Sequence, residues 1–243
     1  TKGKAVIGDY TDPVTSQVTH TTFEHNGYKD TTATTAKGGA IYAQEHADFQ
    51  GLEITNAVFT NNTSTSGGAA IRSDATTGSI LLKNCTATGN KASEGAVAWA
   101  KCPVTLDGGS YTANNTTGSA GCAFIVNANT TLKGKLVLKD NTSSTQYRTS
   151  IRVASGYTVT IGELLEGSQV DISPVNNSYS VSGGSKEIEK YLNNELVIDG
   201  VKQSFKFDGT NLVSAKAPTS ISLDKTELAL EEGDTVNVAL TAT

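Results

Sequence analysis

Short runs of alternating apolar and polar residues recur along most of the chain, and helical spacing of apolar residues is nearly absent. Five ten-residue stretches align without gaps, and each ends in Asn: Gln17–Asn26, Glu53–Asn62, Leu81–Asn90, Thr105–Asn114 and Leu132–Asn141. In each stretch a β-branched residue or Leu precedes a turn-forming position, and a second apolar–polar alternation follows. Each stretch therefore predicts a strand, a turn and a second strand.

A second block, rich in Gly and Ala, follows four of these Asn residues at Gly38–Ala43, Gly67–Ile71, Gly95–Ala100 and Gly121–Val126. The closing Asn residues are separated by 36, 28, 24 and 27 positions. Three short strands per unit, joined by turns of one or two residues, are typical of one coil of a parallel β-solenoid. A weaker sixth unit at Thr158–Ser168 lacks the Asn. The pattern predicts an all-β parallel β-helix of about five to six coils.

Stacked coils place equivalent residues at the strand spacing of about 4.8 Å. The repeat therefore predicts an internal ladder of amides that bind turn backbone groups and one another, formed by Asn26, Asn62, Asn90, Asn114 and Asn141. It also predicts a core column of Phe23, Phe59, Tyr111 and Leu138. The alternative all-β fold, a sandwich of antiparallel hairpins, does not explain one register that recurs five times.

Composition excludes several classes of function. The chain of 243 residues has a formal net charge of −5, and its 19 Lys and Arg form no basic cluster, which argues against nucleic acid as a partner. No apolar run approaches the roughly 20 residues that span a bilayer, so direct membrane insertion is not expected. The three cysteines, Cys85, Cys102 and Cys122, are expected to be buried thiols, with a Cys85–Cys102 disulfide as the alternative.

The motif F-x-x-N followed by G-G-A-[ILV] resembles the repeats of the polymorphic outer-membrane protein family. Phe23–Asn26 and Phe59–Asn62 match the first motif, Tyr111–Asn114 matches it with an aromatic exchange, and Gly38–Ile41 matches the second. The resemblance covers roughly residues 17–170. It implies a right-handed parallel β-helix that is displayed on a bacterial cell surface and serves adhesion.

The C-terminal segment Ala217–Thr243 resembles the opening of a bacterial immunoglobulin-like domain of group 2, which implies a larger extracellular protein of which this chain is a fragment. Because the end of a solenoid exposes core and edge strands, the intervening residues are expected to form a cap. We therefore divide the chain into a β-helix (1–172), a cap with a short helix at Lys186–Asn194 and a hairpin (173–216), and a linker with a partial immunoglobulin-like segment (217–243).

Catalysis is not expected from the sequence. Polysaccharide lyases and hydrolases built on β-helices need clustered carboxylates, whereas the acidic residues here fall at differing repeat positions. His20, His25 and Glu24 are a weak metal-binding alternative, because zinc needs a third or fourth ligand in place. We predict no metal and no cofactor. The rival interpretations are a polysaccharide-active β-helix enzyme, a carbohydrate-binding module, or a structural stalk without a ligand.

The longest repeat spacing contains an insertion at Gly27–Lys37, and insertions in solenoids become loops on one face. Tyr28, Lys29 and Asp30 in this loop are therefore the candidate binding residues. Trp99 is predicted to face the core together with Val97, with an exposed aromatic for sugar stacking as the alternative. The sequence thus predicts a monomeric, non-catalytic adhesin module that presents a lateral face or this loop to a host glycan or protein.

Overall fold

The computed structural model describes residues 3–27, 38–118, 122–144, 149–172, 180–194, 197–198, 201–216, 221–223 and 240–242. The chain is all-β, and its parallel strands stack as a β-solenoid, which confirms the predicted fold class. Successive coils pass through three sheets, which we number 1 to 3 in the order in which one complete coil, such as residues 80–100, passes through them.

Sheet 1 has eleven strands and bends in the middle. Its first half stacks, in parallel and in this order, Gly3–Ile7, Phe49–Thr55, Ile80–Thr88, Val104–Thr112, Thr130–Lys139, Thr158–Leu164 and Ser180–Gly183. The long central strands continue through the bend. There the second half adds Thr22–Glu24, Val58–Thr60, Gln169–Ile172 and Leu192–Asn194.

Sheets 2 and 3 are smaller and complete each coil. Sheet 2 contains Lys91–Ala92, Asn115–Thr116 and Thr142–Ser143. Sheet 3 contains five parallel strands, Ile41–Ala43, Ile71–Ser73, Ala98–Ala100, Cys122–Val126 and Thr149–Val153. Four of the five strands of sheet 3 fall in or just after the predicted Gly- and Ala-rich blocks, whereas Thr149–Val153 follows none of them. The number of strands is roughly consistent with five to six coils.

The bend in sheet 1 is made by left-handed backbone conformations. Asn56, Asn84, Gly108 and Gly134 occupy the turn-forming positions of four repeats, and their φ angles are +56°, +50°, +70° and +73°. Asn and Gly adopt this conformation at lower cost than other residues. Each of these repeats therefore contains, at its turn position, a residue type that adopts the conformation the bend requires.

Two inward columns fill the space inside sheet 1. The first stacks Ile54, Leu82, Leu106, Leu132 and Ile161, all at most 2% exposed. The second stacks Phe23, Phe59, Ala87, Tyr111, Leu138 and Val170. Burial of a Leu or Ile side chain stabilises a fold by about 1.5–3 kcal/mol, so these columns supply much of the driving force for stacking.

The first ten-residue stretch departs from the predicted register. Only its second half joins sheet 1, where Phe23 pairs with Phe59. Its first half is replaced by Gly3–Ile7, while Val18–Thr19 pairs antiparallel with Tyr10–Thr11 in a hairpin outside the sheet. The hairpin is inserted at the bend and is closed there by Asp9, which accepts hydrogen bonds from His20 Nδ1 (2.7 Å) and Asn56 Nδ2 (2.6 Å).

The C-terminal part extends and then covers the solenoid. Ser180–Gly183 and Leu192–Asn194 add a further layer to sheet 1, so sheet 1 continues past residue 172. A 3₁₀ helix at Lys186–Tyr191 lies between them, shorter than the predicted helix because Leu192–Asn194 pairs with the sheet instead. Beyond it stand the antiparallel strands Val197–Ile198, Val201–Phe207 and Leu212–Lys216. Ile188, Phe205 and Leu212 join the hydrophobic core from this cap.

The predicted immunoglobulin-like segment lies mostly outside the described residues. Within it, Ile221–Leu223 pairs antiparallel with Leu240–Ala242. Among the described residues, no helix has the length and apolar character needed to cross a membrane.

Candidate binding face on sheet 3

The five Asn residues at the coil corners form a continuous chain of side-chain hydrogen bonds. Each Nδ2 donates to Oδ1 of the Asn in the next coil, at 2.9–3.0 Å, in the order Asn26, Asn62, Asn90, Asn114 and Asn141. The same Oδ1 atoms accept the backbone N–H of the preceding Asn at 3.0–3.1 Å. At the far end, Asn141 Nδ2 donates to Ser150 Oγ at 3.1 Å. The ladder is a scaffold, because four of its five members are buried away from any ligand.

The amide groups of the ladder also satisfy backbone carbonyls of the preceding coil. Asn62, Asn90, Asn114 and Asn141 donate from Nδ2 to the carbonyl oxygens of Phe23, Phe59, Ala87 and Tyr111, all within 3.0 Å. These acceptors are in the second inward column, so the ladder and the core column hold the same register. Phe23 and Phe59 stack with ring centroids 4.9 Å apart, and Tyr111 meets Phe124 edge to face at 5.1 Å.

The candidate binding residues of the insertion, Tyr28, Lys29 and Asp30, lie outside the described residues. The lateral face proposed beside them can be followed on sheet 3. There the outward side chains of neighbouring strands form one column: Tyr42, Arg72, Trp99, Ile125 and Arg152.

The prediction that Trp99 faces the core is wrong. The inward residues of its strand are Ala98 and Ala100, both fully buried, and Trp99 points outward between them. Val97 is also fully buried, but it precedes the strand, so alternation cannot be counted from it. The outward direction of Trp99 agrees with the alternative of an exposed aromatic side chain, although the residue is partly buried.

A hydrogen-bonded network fixes the aromatic side chains of this column. Tyr42 donates from its hydroxyl to Asp74 Oδ2 at 2.8 Å. Arg72 donates to Asp74 Oδ1 from Nε at 3.2 Å and from Nη2 at 2.9 Å, and to Ser66 Oγ at 3.3 Å. The guanidinium carbon of Arg72 lies 4.2 Å from the centre of the Trp99 ring, which is a cation–π contact. The Arg72 and Asp74 side chains are only 11% and 10% exposed, so the ion pair is largely shielded from water.

A glycine makes room for the indole. A Cβ atom at Gly67 would lie 2.9 Å from Trp99 Cδ1, a distance that real Cβ atoms do not tolerate, so the ring packs directly over the Gly67 backbone. Lys101 comes directly after the strand of Trp99, and its Nζ lies 5.9 Å from the ring centre. Tyr42 remains 41% exposed at the edge of the network. Together, Tyr42, Asp74, Arg72 and Trp99 form a rigid platform of aromatic and charged groups on the outer face of sheet 3.

The repeat alignment hides this column for a simple reason. The sequence blocks align on the first Gly, whereas the left-handed residues are Gly38, Gly68 and Gly95, with φ of +71°, +74° and +56°. Tyr42, Arg72 and Trp99 each stand four positions after one of these glycines. Alignment on the second Gly of Gly67–Gly68 would have revealed the column.

The other candidate groups do not assemble into a reactive site among the described residues. No group of three or more His, Cys, Asp or Glu side chains there could hold a metal ion. His20 contacts Asp9, and His25 lies 3.5 Å from its neighbour Glu24. Cys85, Cys102 and Cys122 are buried thiols, as first expected. Burial raises the pKa of Cys85 and Cys102, which keeps both protonated and unreactive near neutral pH.

Comparison of the chain with family models, curated proteins and solved structures finds no match.

Proposed function

We propose that this chain is a non-catalytic binding module of a bacterial cell-surface adhesin, and that it binds a glycan on the outer face of sheet 3. The observation that carries the proposal is the hydrogen-bonded network of Tyr42, Asp74 and Arg72, stacked on Trp99. The bacterial and extracellular setting is supported by the resemblance of the two repeat motifs to those of surface adhesins.

The platform has the physical properties that sugar recognition requires. Aromatic side chains offer apolar surface to the C–H groups of a pyranose, while neighbouring polar groups offer hydrogen bonds to its hydroxyls. Tyr42 is held at its hydroxyl by Asp74, so little side-chain entropy remains to be lost on binding. The strands beneath are tied to one another by parallel pairing and by the buried core, which keeps the platform rigid.

The position of the platform also suits an adhesin. Tyr42 is 41% exposed on the end strand of this five-stranded sheet, so a glycan can approach it from the side of the solenoid. A cavity of about 510 Å³ lies at the N-terminal end and includes Tyr42 in its lining. An extended saccharide bound at Tyr42 could therefore contact both the lateral face and this end.

A glycan array probed with the purified chain tests the proposal. Tyr42→Ala should abolish or strongly weaken the binding of any saccharide that the native chain captures, because the stacking surface is removed. Tyr157→Ala is the matched control, since Tyr157 is 40% exposed but lies outside the sheet 3 column. Equal loss of binding in the two variants, or none in either, would reject the platform. Absence of any captured saccharide would favour the structural stalk.

A further inference from the structure

The outer face of sheet 3 carries positive charge that its own residues do not neutralise. Arg72 is paired with Asp74, but Arg152 and Lys101 form no ion pair within the described part of the chain. Both side chains are exposed. The chain as a whole has a net charge of −5, so this face differs in sign from the average of the molecule.

Arg152 and Lys101 lie on two sides of Trp99, one across the strands of sheet 3 and one along the chain. Trp99 pairs with Ile125 and Ile125 with Arg152, so Arg152 stands two strands from Trp99 in the outward column, about 10 Å away at the usual strand spacing. Lys101 directly follows the last residue of the Trp99 strand, and its Nζ lies 5.9 Å from the centre of the Trp99 ring. A saccharide that lies on Tyr42 and Trp99 would therefore bring its neighbouring substituents within reach of both charges.

We infer that the ligand is an anionic saccharide, one that carries carboxylate or sulfate groups; the inference rests on the proposed function. Arg152 and Lys101 bind the anionic groups, and the network of Tyr42, Asp74, Arg72 and Trp99 positions the sugar ring. The planar guanidinium of Arg152 matches the two oxygens of a carboxylate or sulfate, and such charge-assisted bonds are stronger than those between neutral groups. Local positive charge also offsets the repulsion that an acidic protein exerts on an anionic ligand.

Three oligosaccharide probes distinguish the chemistry: an oligogalacturonide, the same compound with its carboxyl groups methyl-esterified, and a sulfated oligosaccharide of equal length. Affinities would be measured by calorimetry with the full chain at two salt concentrations. At least one anionic probe should bind about tenfold or more tightly than the neutral ester, and its affinity should fall as salt rises. The comparison of carboxylated with sulfated probes identifies the anionic group.

Variants test whether the positive charges of this face bind the anionic probe. Arg152→Gln and Lys101→Gln should each lower the affinity for the anionic probe about tenfold, as expected for one lost charge-assisted hydrogen bond, and leave the neutral probe unaffected. Lys83→Gln is the matched control, because Lys83 is an exposed lysine of sheet 1. Equal binding of charged and neutral probes that Tyr42→Ala still weakens would overturn the anionic class but retain the glycan-binding face. Binding of no saccharide would reject both proposals.

Discussion

Asn90 Nδ2 donates to Asn114 Oδ1 at 2.9 Å across 24 residues of sequence, and both side chains are at most 1% exposed. Each of these amides uses its acceptor and donor atoms within the solenoid. Removal of one member therefore leaves buried partners unpaired in two coils at once, at a cost greater than that of a surface hydrogen bond.

Asn114→Ala should lower the free energy of unfolding by roughly 3 kcal/mol, since Asn90 loses its acceptor and the carbonyl of Ala87 loses its donor. The neighbouring Asn115→Ala is the control, because the Asn115 side chain donates to Thr142 Oγ1 at the surface. It should cost at most about 0.5 kcal/mol. Urea denaturation measures both values, and equal costs would contradict a structural ladder.

Tyr111→Phe should stabilise the protein by about 1 kcal/mol. The hydroxyl of Tyr111 is buried and has no hydrogen-bond partner in the described structure, and burial raises its pKa well above the ordinary value for tyrosine. Removal of the hydroxyl avoids the cost of burying a polar group without a hydrogen bond, and the contacts of the ring are kept. Thermal and urea unfolding would show the gain. A loss of stability would mean that the hydroxyl binds a group such as a buried water.

Three glycine-to-alanine variants separate backbone strain from steric clash. Gly8→Ala should be nearly neutral, since Gly8 has an ordinary φ and open space around it. Gly156→Ala should cost about 1–2 kcal/mol, because its φ is +86° although no atom lies near. Gly68→Ala should cost more than either, because a Cβ there would also lie 2.2 Å from the Ile71 carbonyl oxygen. Free energies of unfolding in any other order would contradict this account of the turns.

Trp99 is the single tryptophan of the chain, so its fluorescence reports directly on sheet 3. Because the ring points outward, acrylamide should quench its emission in the native state. Gly67→Ala should increase that quenching, since the new Cβ displaces the indole from the backbone beneath it. Gly8→Ala should leave quenching unchanged. If acrylamide did not quench the emission of the native protein, the Trp99 ring would have to be buried in the core, which would contradict this account.

The cap should weaken in acid. Hydrogen bonds from the Lys186 ammonium and the Phe207 amide hold the pKa of Glu189 below the ordinary glutamate value. Because the folded pKa is the lower one, this stabilisation is present above the ordinary pKa and disappears as pH falls through the folded value.

Glu189→Gln should therefore lower the free energy of unfolding at neutral pH and reduce the further loss between neutral and acidic solution. Glu166→Gln, at an exposed site on a turn, is the control and should keep the native pH profile. Urea unfolding at a series of pH values compares the three proteins. An unchanged acid profile in Glu189→Gln would show that this carboxylate does not link the 3₁₀ helix to the hairpin.

The sequence by itself determined the repeating unit of this protein. The Asn positions, the turn-forming positions at Asn56, Asn84 and Gly108, and the Gly- and Ala-rich blocks are periodic, and a solenoid follows from them because each coil copies the last. Periodicity could not show where the pattern is broken. The replacement of the first half of the first repeat by Gly3–Ile7 depends on which strand pairs with Leu52, and no local signal fixes that pairing.

Only the tertiary structure decided the candidate binding face. Tyr42, Arg72, Trp99 and Arg152 are separated by 30, 27 and 53 positions and differ in chemical type, so no motif connects them. Tyr42, Arg72 and Trp99 lie side by side because each follows a left-handed glycine by four positions, and an error of one residue in strand register reverses every side chain. The outward position of Trp99 and its contact with Arg72 follow from that register, which arises from pairing between coils and not from the order of residues within one.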